Sequence, residues 1–441
     1  MLERKIMNDL LLWKHRSNKK ALLISGARQT GKTYIVRQFA RENYKSVIEL
    51  NFLEDESLCD IFSGDLRPKS IFTNISLMCP GCTLIPHETL LFLDEIQACP
   101  NAITALKFLV EGGDTDVIAT GSALGIAFGN TASFPVGSVE YLDMYSLSFE
   151  EYLHAIGIDS SVIDYLRDCF ENRTPVASPV HKKMLEYLKQ YIAVGGMPEV
   201  VNTFVRTGSY ADADKIQRQL YKDYITDIAH YASPDIRIKA ENCYRSIPLQ
   251  LTKENHKFQY TIVEKKGTAR KFESSVDWME NAFTAYPVYN VSAISFPLKA
   301  FAKSDNFRLY YNDIGMLTAA YDYSLKKALI DDRPDESSPV PMLKIAKGGI
   351  YEALAADLLI KNDHKELFFF RNETGSLEIE FLLEKSNGII PIEIKAGRNS
   401  TASLNNILKA EDIPEGYKFC AQNVGISGKK ITMPLYMLMF M

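Results

Sequence analysis

Gly26, Gly31, Lys32 and Thr33 punctuate residues 22–33, LLISGARQTGKT, where an apolar run breaks into glycine, four residues, then Gly-Lys-Thr. This is the P-loop spacing. Backbone amides from Gly26, Ala27, Arg28, Gln29, Thr30 and Gly31 would cradle phosphate, Lys32 would reach the β and γ phosphates, and the Thr33 hydroxyl would be a magnesium ligand. The expected ligand is ATP with Mg2+. Residues 90–97, LLFLDEIQ, supply what such a loop needs next. A strand buried on both faces cannot carry acids through its interior, so Asp94 and Glu95 should sit at its exit, beside the phosphates. Asp94 would hold the metal and Glu95 would orient or deprotonate the attacking water. Thr120 and Ser122, at the end of the strand 117–120, would lie between the two earlier strand ends and sense the γ-phosphate.

A second set of charged residues lies in the last hundred positions. Helix 349–360 carries Glu352 in its first turn, strand 377–384 carries Glu378 and Glu380, and strand 389–395 carries Glu393 and Lys395. Asn387-Gly388 between the strands is a hairpin signal. A two-residue turn at Asn387-Gly388 predicts that 380 pairs with 395, with Glu393 diagonal on the same face. Three charged side chains then converge. A cross-strand ion pair is the plainer reading of that convergence.

The elements that must position these groups can be read along the chain. At 441 residues, roughly three domains are expected. Apolar content of 46% and charged content of 24% are those of a globular protein, and a net charge of −5 with pI near 5.9 gives no global attraction to nucleic acid or membrane. No apolar run approaches a membrane span and no signal-peptide core is evident, so a cytoplasmic location is expected. The apolar tail 431–441 should dock on the core. Seven cysteines lack a framework pattern, which suits a reducing compartment. Cys79 and Cys82, with His87 near, have half the spacing of a zinc site, but no second pair follows and a Pro80-Gly81 turn is preferred.

Residues 2–13 read as a helix lying on the sheet, with Leu2, Ile6, Leu10 and Trp13 on one face. Strands 21–24, 46–52, 90–94, 117–120 and 139–145, with helices between, predict an α/β fold built on a doubly wound parallel sheet. Asn51 would reach the strand-end crevice. A helical lid follows to about residue 231, turned at Gly195-Gly196-Met197-Pro198. Arg206, Arg218 and Arg237 are considered as transition-state arginines, and none is assigned. Residues 239–299 read as helices followed by a hairpin. Between 253 and 271, Lys253, Lys257, Lys265, Lys266, Arg270 and Lys271 face only Glu254 and Glu264, a local basic patch that would suit phosphate or solvent. Residues 331–341, DDRPDESSPVP, read as a linker.

GARQTGKT, LLFLDEIQACP, IATGS, LSFEEYL and AVGGMPEVV, in this order, resemble the prokaryotic AAA-superfamily ATPases that carry a C-terminal PD-(D/E)xK nuclease-like domain. The likeness runs over nearly the whole chain. It implies an ATPase core at 1–155, a helical lid at 156–235, a winged-helix domain at 236–330, a linker at 331–345 and a nuclease-like domain at 346–441. It also implies catalytic roles for Lys32, Glu95, Glu380, Glu393 and Lys395. Glu352, Glu380 and Glu393 would hold Mg2+ or Mn2+, and Lys395 would position water or stabilise the phosphorane. Such proteins usually have Asp where Glu380 stands, and often Gly-Arg where this chain has Gly137-Ser138. Two functions are expected from this resemblance. One is an ATPase acting on DNA through Lys265, Lys266, Arg270 and Lys271 and cutting it at the C-terminal site. The other is a switch or remodelling ATPase that acts on a protein partner, with the C-terminal domain inert.

Overall fold

A computed structural model describes residues 2–121, 137–331, 341–396 and 402–441. They fall into two compact units, one of Glu3–Ser146 with Asn281–Phe283, the other of Leu147–Glu280 with Thr284–Met441. Among the described residues no helix is long and apolar enough to cross a membrane.

The first unit is built on a five-stranded sheet: β1 (Ala21–Ser25), β2 (Ser46–Asn51), β3 (Thr89–Asp94), β4 (Asp116–Gly121) and β5 (Val139–Asp143). All neighbours are parallel, in the order β2-β3-β4-β1-β5. Successive strand residues face opposite cores, which is why β1 and β3 are continuous apolar runs rather than alternating ones. On one face Leu23, Leu91, Leu93 and Ala119 pack with Ile71, Ile75, Ala102 and Leu106 of the helices Pro68–Met78 and Pro100–Gly112. On the other, Leu22, Ile24, Phe92 and Ile118 pack with Ile35, Val36 and Phe39 of the helix Lys32–Asn43. The N-terminal helix Ile6–Lys14 adds Ile6, Leu10 and Trp13 to this second core.

Helices open the second unit. Ser178–Val194 and Pro198–Thr207 are joined by the buried Gly195-Gly196-Met197 turn, and the long helix Tyr210–Tyr231 follows. An eight-stranded mixed sheet completes it, from β6 (Ala285–Val291), β7 (Ala302–Tyr311), β8 (Phe368–Arg371), β9 (Glu378–Lys385), β10 (Gly388–Ile394), β11 (Gly416–Cys420), β12 (Gly425–Ser427) and β13 (Lys430–Pro434). Its order is β12-β13-β11-β10-β9-β8-β6-β7.

That order changes the expectation of a separate winged-helix module. The hairpin β6–β7 continues the C-terminal sheet, because β6 pairs on its free edge with β8 in parallel register. Ala285, Val288 and Val291 are buried as interior-strand residues, where a wing would leave them half solvated. The linker also ends earlier than expected. Residues 332–340 lie outside the described residues, but the helix Pro341–Ile360 starts at Pro341, a residue suited to the first helical position. Leu343, Ala346 and Ile350 extend its buried stripe, so Glu352 sits in mid-helix rather than in the first turn. The tail docks as a buried 3-10 turn, Leu435–Phe440.

Candidate functional site

The loop after β1 turns at Gly26 and enters the helix Lys32–Asn43 through Gly31, at φ 95°. Gly26 is required by packing: a Cβ there would lie 2.1 Å from the Met144 carbonyl oxygen. No side chain caps the helix, and its first turn holds no acid, an arrangement that suits an anion at its N-terminus. Thr30 closes the loop on itself, its hydroxyl donating to the Ala27 carbonyl at 2.9 Å. Arg4 fixes the loop from outside, donating to the carbonyls of Thr30 at 2.9 Å and Tyr145 at 2.6 Å. Sequence reasoning missed Arg4, since a basic residue before an amphipathic helix carries no signal of its own.

Lys32 is buried and donates to the carbonyls of Gly26 at 3.0 Å and Ala27 at 2.7 Å. Burial, opposed by the charges of Glu95 and Asp94, brings its ammonium down to about 8. Bound polyphosphate would raise it again. ATP affinity is therefore expected to be flat below pH 8 and to fall by up to about tenfold per pH unit above it. Titration with a fluorescent ATP analogue from pH 6.5 to 9.5 checks this; a flat profile throughout would contradict it.

Asp94 ends β3 almost fully buried, and three polar groups converge on its carboxylate. The Thr33 hydroxyl lies 3.0 Å from Oδ2, Asn51 Nδ2 donates to Oδ2 at 3.0 Å, and the Thr120 hydroxyl donates to Oδ1. Burial raises the Asp94 carboxyl above its ordinary range despite the hydroxyls of Thr120 and Thr33. A buried carboxylate beside a hydroxyl is a hard oxygen set, and these residues fit Mg2+. Glu95 follows in the left-handed region at φ 54°, which turns its side chain out of the strand direction, and accepts from Gln97 Nε2 at 2.6 Å. Ser122 lies outside the described residues.

In the second unit, the strands pair two residues away from the expected register. Gly388 pairs with Lys385 and Ile392 with Phe381, so Glu393 stands across from Glu380 and Lys395 is the diagonal member. A two-residue shift keeps every side chain on its face, and the charges still converge. Lys395 Nζ lies 3.0 Å from Glu380 Oε1 and 3.4 Å from Glu393 Oε1. The other Glu380 oxygen accepts from the Ile394 amide at 3.2 Å. Burial pushes Glu380 up to about 7 against the pull of Lys395, and raises Glu393 in the same way.

Glu352 is engaged differently. Its Oε1 accepts from Arg308 Nη1 at 2.5 Å and from the Tyr310 hydroxyl, and its Oε2 is 2.6 Å from His256 Nδ1. Burial alone would raise this carboxyl; Arg308 and His256 outweigh it and hold it at about 2. Arg308, wholly buried, also donates to Glu378 and lies over the Phe369 ring at 4.2 Å. Arg308 and Tyr310 were missed. A cation inside FRLYY is the signal that could have found them, since a buried charge must be paired.

Other residues singled out from sequence take structural places. Gly196 donates its amide to Asp313 Oδ2 at 2.8 Å, and a Cβ there would lie 2.1 Å from the Leu147 carbonyl oxygen. Arg218 is tied to Asp214 at 2.7 Å and the Tyr321 carbonyl at 2.9 Å. The Cys82 amide donates to the Cys79 carbonyl at 3.1 Å, as a turn. Among the described residues, no group of three or more His, Cys, Asp or Glu is arranged to hold a metal ion.

A parallel sheet whose strand ends gather a glycine loop, Lys32, Thr33, Asp94 and Glu95 defines a P-loop ATPase domain. Comparison with known proteins narrows the class: residues 18–153 match the family described as AAA domain, and this part of the chain is an AAA-type ATPase domain. Residues 185–327 and 347–438 match two families each described as a domain of unknown function, DUF8612 and DUF4143. The chain is 23% identical over 375 residues to an uncharacterized protein of Methanocaldococcus jannaschii, covering 83% of this chain and 73% of that one. Among solved structures it is similar to a Walker-type ATPase of Pyrococcus abyssi, with TM-score 0.44 and 11% identity over 73% of this chain and 96% of that one. It is also similar to the ORC1 protein of Aeropyrum pernix in complex with DNA, with TM-score 0.29 and 10% identity over 75% and 91%.

Proposed function

We propose that the chain is a Mg2+-dependent ATP hydrolase working as a nucleotide-driven switch that engages nucleic acid. The observation that carries the hydrolytic half is the grouping of Lys32, Thr33, Asp94 and Glu95 at one end of a parallel sheet. Mg2+, held by Thr33 and Asp94, would supply charge neutralisation on the phosphates. Lys32 and the loop amides bind the β and γ phosphates and stabilise the charge that develops in the transition state. Glu95 accepts a proton from, or orients, the attacking water. Thr120 and Ser122 are assigned to sensing the γ-phosphate, and the helices of 156–235 to a lid.

The nucleic-acid half rests on the basic patch. Lys265, Lys266 and Arg270 are exposed, while Lys271 is paired with Glu264 at 2.6 Å. Binding through such a patch releases counterions, so log affinity should fall linearly with log salt by about 0.9 per phosphate contact. Changing Lys265, Lys266, Arg270 and Lys271 to Glu is expected to weaken duplex DNA binding at low salt by about tenfold or more. Fluorescence anisotropy with a labelled duplex across a salt series measures both. Absence of binding by the parent at low salt would contradict this half and favour the second reading, an ATPase that remodels a protein partner. Phosphate release by the parent and by Lys32→Ala tests the hydrolytic half separately.

A further inference from the structure

The C-terminal cluster resembles a metal-dependent nuclease site in sequence, yet its acids already have cations. A divalent ion of the Mg2+ or Mn2+ kind needs about six oxygen ligands, several of them carboxylate or carbonyl. Both oxygens of Glu352 are taken, by Arg308 and Tyr310 on one side and His256 on the other. Both oxygens of Glu380 are taken, by Lys395 and by the Ile394 amide. Glu378 is shared between Arg308 and Arg371, the latter at 2.7 Å. Of the carboxylates expected to ligate, only Glu393 Oε2 is left buried without a hydrogen-bond partner. The partners of Asp94 are neutral, whereas Glu352, Glu378 and Glu380 are bound by buried or half-buried cations that a metal ion would have to displace.

The charge balance gives the same result. Glu352, Glu378, Glu380 and Glu393 face Arg308, Arg371 and Lys395, and His256 Nδ1 is hydrogen-bonded to Glu352. A divalent ion would have to expel a guanidinium that is fully buried, stacked on Phe369 and bridging two strands and a helix, and would then leave that guanidinium unpaired in the interior.

We infer that Arg308, with Lys395, stands where a divalent cation would otherwise neutralise this cluster. The C-terminal unit accordingly binds no Mg2+ or Mn2+ at Glu352, Glu380 and Glu393 and does not cleave nucleic acid. The cluster is an internal ionic lock joining the helix Pro341–Ile360 to β7 and β9. This inference does not depend on the ATPase reading.

Free Mn2+ can be followed by electron paramagnetic resonance as it is titrated into the full chain without nucleotide. Any Mn2+ the parent retains is expected to be lost in Asp94→Asn and unchanged in Glu393→Gln, which separates the two units. Arg308→Met, which removes the cation shared by Glu352 and Glu378 while Tyr310, His256 and Arg371 stay in place, is expected to gain an Mn2+ site absent from the parent, lost again in Arg308→Met/Glu352→Gln. Parent Mn2+ binding abolished by Glu393→Gln would overturn the inference, as would Mn2+-dependent DNA cleavage lost in that variant. A folded Arg308→Met that gains no site would overturn the role given to Arg308. Should that variant not fold, the parent and Glu393→Gln titrations still decide.

Discussion

With Glu95 replaced by Gln, ATP binding is expected to stay within about twofold of the parent while turnover falls about 100- to 10,000-fold, the range for loss of a general base. The reason lies in how little else changes. Gln97 Nε2 donates to Glu95 Oε2 at 2.6 Å, and a glutamine at 95 can offer its carbonyl oxygen to the same amide. The left-handed backbone at this position stays as it is. What disappears is the carboxylate that, in the proposed mechanism, would take or orient the proton of water. Lys32, Thr33 and the loop amides keep their grip on the phosphates, so the loss should appear in kcat with the nucleotide Kd held. Equilibrium binding beside steady-state phosphate release separates the two. Normal turnover by Glu95→Gln would remove Glu95 from the mechanism.

The second large effect concerns folding. Lys361 is buried between Asp313 at 3.0 Å and Asp357 at 2.8 Å, and it also donates to the Tyr191 hydroxyl at 2.9 Å. Lys361→Met would remove the buried cation that Asp313 and Asp357 share, at an expected cost of about 3–5 kcal/mol. Its pH dependence has a definite sign. Burial already pushes Asp357 up to about 6, with Lys361 holding it down. Removing the lysine raises it further, so the native state takes up protons that the unfolded chain does not. Stability of the variant is then largest at low pH and lost as pH rises through the folded value. Urea unfolding at pH 5.5 and pH 8 should show the smaller deficit at pH 5.5, and Lys361→Met/Asp357→Asn should recover part of the loss at pH 8. Equal deficits at both pH values would contradict the assignment.

The grouping of the glycine loop with Asp94 and Glu95 was readable because its parts are local: glycines, Lys32 and Thr33 within one loop, and an acid pair at the end of an apolar strand. Strand burial on both faces fixed their placement. The C-terminal hairpin was read in the wrong register because Gly388 looked like a turn residue. It is a glycine for another reason, since a Cβ there would lie 2.7 Å from Pro414 Cδ, and the turn falls on Ser386 and Asn387 instead. The partners of Glu352 were out of reach of any local pattern. Arg308, Tyr310 and His256 come from elements far away in sequence, brought together only by β6 and β7 joining the C-terminal sheet. For the same reason Gly195 and Gly196, legible as a turn, gave no sign that the turn is packed against Asp313.

The measurement that tests the central claim most directly is phosphate release from ATP by the purified chain in Mg2+, with Lys32→Ala assayed in parallel and EDTA as control. The account predicts steady turnover by the parent that stops with EDTA and is lost in Lys32→Ala together with nucleotide binding. Turnover that survives Lys32→Ala, or a parent that neither binds nor hydrolyses ATP, would contradict it.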